Sequence, residues 1–135
     1  MKKKQFQRGG TLVEAAVTLP VLFLFLFAIL EFGRASNLYH VATNAAREGA
    51  RYAVTPSPGT STLPSAGQVQ SDVAIFLGAA NATGATVSVV PTTVTVNGIV
   101  TDETVVTVAV PYTFLFFPFG TITMSGQARM RNETN

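Results

Sequence analysis

A long apolar run opens this chain, and two hydrophobic periods follow it, first a helical one and then the alternation of strands. From Thr11 to Leu30, 20 residues hold Glu14 as their one charge. As a helix such a run spans roughly 30 Å, about one bilayer hydrocarbon core. Pro20 lies inside it, and its missing N–H and ring clash should kink or loosen the helix there. Beyond the run, Leu38, Val41, Ala45, Gly49 and Tyr52 recur at steps of three and four, while Asn37, His40, Asn44, Arg47 and Arg51 line another face. The spacing predicts an amphipathic extension of the same helix, about 40 residues in all. Its small-residue stripe should pack on the chain's own sheet, with other helices as the alternative.

Thr55 to Gly67 is rich in Pro, Gly, Ser and Thr and reads as an exposed linker. A short amphipathic helix follows, with Val69, Val73, Phe76, Leu77 and Ala80 on one face and an end near Asn81. From Thr83 the period becomes two. Val87 and Val89, then Val94 and Val96, then Val106, Val108 and Val110, then Ile122, Met124, Ala128 and Met130 alternate with polar residues. These are half-buried strands of an antiparallel sheet, with Asn97-Gly98 as a two-residue hairpin turn. The stretch Phe114 to Gly120 is the most apolar outside the first run, but Pro118 demotes it from a central strand. A loop or edge is expected, filling the helix–sheet core or touching the bilayer or a partner, the core being the favoured place. The fold class is therefore α+β, a long N-terminal helix packed on a small antiparallel sheet.

Charge sharpens the picture. The formal balance of +2 conceals that Lys2, Lys3, Lys4 and Arg8 all precede the apolar run; without them it becomes −2. A basic start stays cytoplasmic by the positive-inside rule, which places the C-terminal part outside the cytoplasm. No basic cluster with interleaved aromatics occurs elsewhere, so nucleic acid is not an expected partner. The same start resembles a secretory signal peptide, but the run is long for one, and the small-x-small site Gly33-Arg34-Ala35 carries an arginine. The boundaries that follow are a basic leader at 1–9, a transmembrane helix at 10–33, an amphipathic extension at 34–54, a linker at 55–67 and an extracytoplasmic α+β domain at 68–135.

Glu14 asks for a reason, because a carboxylate inside a span costs about 2.5–3.5 kcal/mol by insertion scales. One reading is that it snorkels to the interface. Alternatively, Gly9-Gly10 offers a sterically bare backbone that a protease at the membrane surface can grip. Cleavage after Gly9 would put a new amine on Gly10, four residues before Glu14. That amine and the carboxylate then lie at matching levels along one helix or on neighbouring subunits.

A basic leader, a glycine at the cut and a glutamate at the fifth mature position resemble type IV prepilins and pseudopilins. The order Gly9-Gly10-Thr11-Leu12-Val13-Glu14, then Leu19-Pro20, then Glu31-Phe32-Gly33-Arg34, more closely resembles the TadE-like family of pilus assembly proteins from tight-adherence (Flp pilus) systems. The segment Asn44 to Ala53, Val110-Pro111-Tyr112 and the Ala128-Arg129-Met130-Arg131 ending are similar too. Ala15 departs from the aromatic that many such proteins carry, and the tandem glycine leaves Gly9 or Gly10 as the cut, the family spacing favouring Gly9.

The resemblance implies a minor pilin or pseudopilin with a pilin-like fold, matured by a prepilin peptidase and working with other pilins, pseudopilins and the assembly machinery. It would be a single-pass protein of the bacterial inner membrane, engaged in adhesion or secretion, either retained in the membrane or incorporated into the pilus. It also implies that Glu14 of one subunit pairs with the terminal amine of another. A paired charge is tolerated in an apolar bundle where a lone one is costly. Loss of the leader would release basic residues held by anionic lipid at about 1 kcal/mol each, easing extraction. The alternative is an uncleaved membrane-anchored envelope domain that binds a surface ligand.

Catalysis needs convergent groups, and few are supplied. The chain has no cysteine, one histidine (His40, on the polar face) and an adjacent Asp102-Glu103 pair whose side chains should face opposite ways in a strand. A non-enzyme without metal or cofactor is expected. Asn81-Ala82-Thr83 and Asn132-Glu133-Thr134 match the glycosylation acceptor pattern, a short pattern that occurs often by chance.

Overall fold

A computed structural model describes residues 4–57, 59 and 61–132, with the backbone alone described at 4–8 and 96. Expectations resting on Lys2, Lys3, the leader side chains, Pro58 and the Glu133-Thr134 end of the second acceptor pattern lie outside the described residues. The elements run α1 (Lys4–Ala53), α2 (Ala66–Ala79), β1 (Thr86–Val96), β2 (Ile99–Thr113) and β3 (Thr121–Arg131). The fold is α+β: a long helix lies across a three-stranded antiparallel sheet of order β1-β2-β3, with α2 beside it.

At 50 residues α1 is longer than the periodicity suggested, because it takes in the leader end from Lys4 and both Gly9 and Gly10. The glycines are not a break before the helix. Each costs about 1 kcal/mol in a helix interior, yet strong helix formers on both sides carry the backbone through. The helix also passes Pro20, which forfeits the bond its N–H would have made to the Ala16 carbonyl.

The C-terminal half of α1 buries Ala42, Ala45, Ala46, Ala50 and Ala53 against the sheet and α2. Leu38, Val41 and Tyr52, expected on that stripe, flank it half-buried. Small residues let backbones approach closely. A Cβ on Gly126 of β3 would lie 2.5 Å from the backbone of Thr43, so strand and helix meet there main chain to main chain. A Cβ on Gly49 would collide with the Val73 side chain of α2.

Register assigns the faces. Val87 pairs with Val108 and Val89 with Val106, while Val108 and Val106 pair in turn with Gly126 and Ala128. These residues form the face under the helices, and Val69, Val73 and Leu77 of α2 close the core. The opposite face mixes Thr and Ser with apolar residues such as Val90, Val94 and Ile99, and carries Glu103 and Arg129 paired at 3.5 Å. Three expectations are corrected. Val94 shares its face with Val90, away from the core, because β1 is one continuous strand and not two. Ile122 lies beyond the area the helix covers and is exposed, as is Phe76 on α2. Pro91 is accommodated because β1 is an edge strand.

The β1–β2 connection is the expected two-residue hairpin. Asn97 and Gly98 have φ of 52° and 80°, the paired positive values of a type I′ turn. The linker ends earlier than its composition suggested. Ser65 caps α2 by accepting the Gln68 N–H, and the Gln68 side chain accepts the Ser65 N–H at 2.8 Å, a reciprocal capping box.

Candidate functional site

Two carboxylates stand near opposite ends of the apolar part of α1, about 25 Å apart by helical rise. The structure treats them differently.

Glu14 is exposed on the helix surface among exposed apolar neighbours. Its backbone carbonyl accepts the Thr18 hydroxyl at 2.8 Å, but its carboxylate has no intramolecular hydrogen bond or ion pair among the described residues. Gly10 lies one turn earlier on the same face. Apart from chain neighbours and the helix's own backbone, no described atom lies within 4 Å of the position a Cβ would take on Gly9 or Gly10. Pro20 sits a further turn and a half along, still in the exposed apolar stretch.

Glu31 is 4% exposed and fully engaged. Its carboxylate accepts the Tyr112 phenol, the Leu115 N–H at 3.1 Å, the Phe116 N–H at 3.3 Å and Arg34 Nη1 at 3.0 Å. The Glu31 carbonyl oxygen lies 3.1 Å from the Tyr112 hydroxyl as a second acceptor. Arg34 also sits over the Tyr112 ring, 5.4 Å from its centroid. Burial, then the bond to Glu31, raises the Tyr112 phenol above its ordinary pKa of 10.0, with Arg34 acting in the opposite sense. The proton therefore stays on tyrosine, which donates.

This clamp gathers the end of β2 and the loop after it onto α1. The Phe114 to Gly120 stretch is not core, contrary to expectation. Leu115 is 67% and Phe119 71% exposed. The small-residue seam brings sheet and helix too close to admit large rings, so the phenylalanines lie past the end of the sheet. There Phe116 stacks on Phe27 with centroids 4.7 Å apart. Phe114 and Phe117 each meet Phe119 at 5.6 Å.

Glu31, Tyr112 and the loop amides were not legible as a site. The one local signal was Glu31 three residues before Arg34, a common helical ion pair. Asp102 and Glu103 do face opposite sides: Asp102 accepts the Thr93 hydroxyl at 2.9 Å on one face, and Glu103 meets Arg129 on the other. His40 is exposed. Among the described residues no cluster of three His, Cys, Asp or Glu side chains could hold a metal.

Among the described residues one helix, α1, is long and apolar enough to cross a membrane. Residues 9–51 match the model of a protein family described as TadE-like protein. No curated protein and no solved structure gives a match.

Proposed function

We propose that this chain, whose residues 9–51 match the TadE-like family model, is a membrane component of a bacterial tight-adherence (Flp-type) pilus system, acting as a minor pilin or pseudopilin. The observation that carries the reading is Glu14: an exposed carboxylate in an apolar helix, without a partner among the described residues of its own chain. Such a charge is costly in lipid unless something outside the chain neutralises it. Cleavage after Gly9 by a prepilin peptidase would create an amine on Gly10, and a neighbouring subunit's amine would meet Glu14 when helices bundle. Steric openness around Gly9 and Gly10 supports peptidase access.

In this reading α1 crosses the inner membrane from a cytoplasmic N-terminus, and the sheet lies outside the cytoplasm. The protein works by assembling and not by catalysis, with other pilins, the assembly machinery and the bilayer as partners and no cofactor. Mass spectrometry of the protein isolated from its native membrane tests this. A mature N-terminus at Gly10 is expected. An intact start would favour the uncleaved envelope anchor instead, and a start at Ala35 or Ser36 would indicate a secreted domain.

A further inference from the structure

The clamp at Glu31 fixes an apolar loop at the height where the apolar run ends. Phe27 belongs to that run, and Phe116 stacks on it at an interplanar angle of 16°. The loop therefore lies level with the outer edge of the stretch that would sit in lipid. We propose that the Phe114 to Gly120 turn dips Leu115, Phe116 and Phe119 into the same bilayer that α1 crosses, as a second point of membrane contact. The proposal rests on α1 spanning the membrane.

Three further features suit this occupant. From Thr104 to Ala128 there is no Asp, Glu, Lys or Arg, and the charges that reach the loop from α1, Glu31 and Arg34, are paired with each other at 3.0 Å. Backbone amides resist leaving water unless they are bonded within the protein. Glu31 takes the N–H groups of Leu115 and Phe116, and the Phe117 carbonyl takes that of Phe119 at 2.9 Å. Pro118 has no N–H to satisfy. The ring contacts of Phe114 and Phe117 with Phe119 hold the turn together as its outer side chains face away from the core. The apolar surface thus continues from Phe27 across the loop, without an intervening polar strip that would suit a soluble partner.

Because the chain has no cysteine, single substitutions report cleanly. The full chain, one copy per disc, is placed in nanodiscs of phosphatidylethanolamine and phosphatidylglycerol containing a fraction of lipids spin-labelled along the acyl chain. A fluorophore is attached through Phe119→Cys, Leu115→Cys, Ile99→Cys at the far hairpin, or Phe23→Cys in the span. Leu115, Phe119 and Ile99 are exposed, so these variants leave the core intact.

Lipid quenching at Phe119 and Leu115 should approach that at Phe23. Their labelling by a charged, water-soluble maleimide should be about tenfold slower than at Ile99, the order expected for apolar burial. Quenching at Phe23 with none at Leu115 or Phe119 would overturn the loop proposal alone. Absence of quenching at Phe23 would overturn the span and the loop together. Slow labelling of the loop without lipid quenching would mean that protein covers it, which also refutes the proposal.

Discussion

The phenol of Tyr112 donates to the carboxylate of Glu31 across 81 residues of sequence. It joins the last turns of the apolar helix segment to the end of the central strand. Arg34 and two loop amides complete the shell, so an acidic group that would be awkward at the end of an apolar run becomes a structural acceptor.

Removing either side of that bond should loosen the joint. A lost hydrogen bond to a charged group is worth about 1.5–3 kcal/mol. Tyr112→Phe and Glu31→Gln should each lower unfolding stability by about that amount, Glu31→Gln by the larger share because it also ends the ion pair with Arg34. Denaturant unfolding in detergent, followed by near-ultraviolet signals, measures it. Wild-type stability in both variants would contradict the clamp.

Alkali should open the same joint. The Tyr112 phenol has a folded-state pKa above its unfolded value near 10.0, raised by burial and by Glu31. Its contribution is therefore complete below the unfolded value and is lost as pH rises through the folded one. Ultraviolet titration should show a late phenolate component that vanishes in Tyr112→Phe. A titration unchanged by that substitution would count against the shift.

Gly126 offers a test independent of the clamp. Gly126→Ala would drive a methyl into the Thr43 backbone, which cannot rotate away as a side chain could. Overpacking of this kind costs about 1–3 kcal/mol or more. Gly78→Ala, in α2 with open space around it, should instead stabilise by about 0.4–1 kcal/mol. Equal effects from the two would mean the seam is not closely packed.

The processing reading makes paired predictions. Gly9→Ala should leave the leader attached; mature protein of normal size would exclude Gly9 as the cut. Glu14→Ala should still be processed, and by removing a charge from the apolar run it should favour membrane insertion by about 2.5–3.5 kcal/mol. Co-purification with other pilus subunits should nevertheless fall. Normal assembly of that variant would sink the charge-pairing account.

How legible these features were depended on how local their causes are. Asn97-Gly98 announced its turn because two adjacent residues that tolerate positive φ sat between alternating segments. The Ser65 to Gln68 capping box was present in the sequence too, but the surrounding prolines and glycines drew the linker over it. Val94 went to the wrong face because a second strand was counted where Pro91 is simply tolerated on an edge.

The phenylalanine loop was read as core from composition. What excluded it was the narrowness of the Ala42 to Ala53 seam, a fact of three-dimensional spacing. Glu31 was visible only as part of a terminal motif. Apart from Arg34, its partners lie 81 to 85 residues away and share no pattern with it.

The Gly126 seam and the Glu31 clamp together act as two rivets, roughly 18 Å apart along the α1 axis. One is held by backbone contact, the other by a charge and its donors, so neither slides without breaking. Tension applied to the helix reaches the sheet without slack. A pull toward or away from the membrane would raise or lower the whole domain by the same distance, as a piston moves its head.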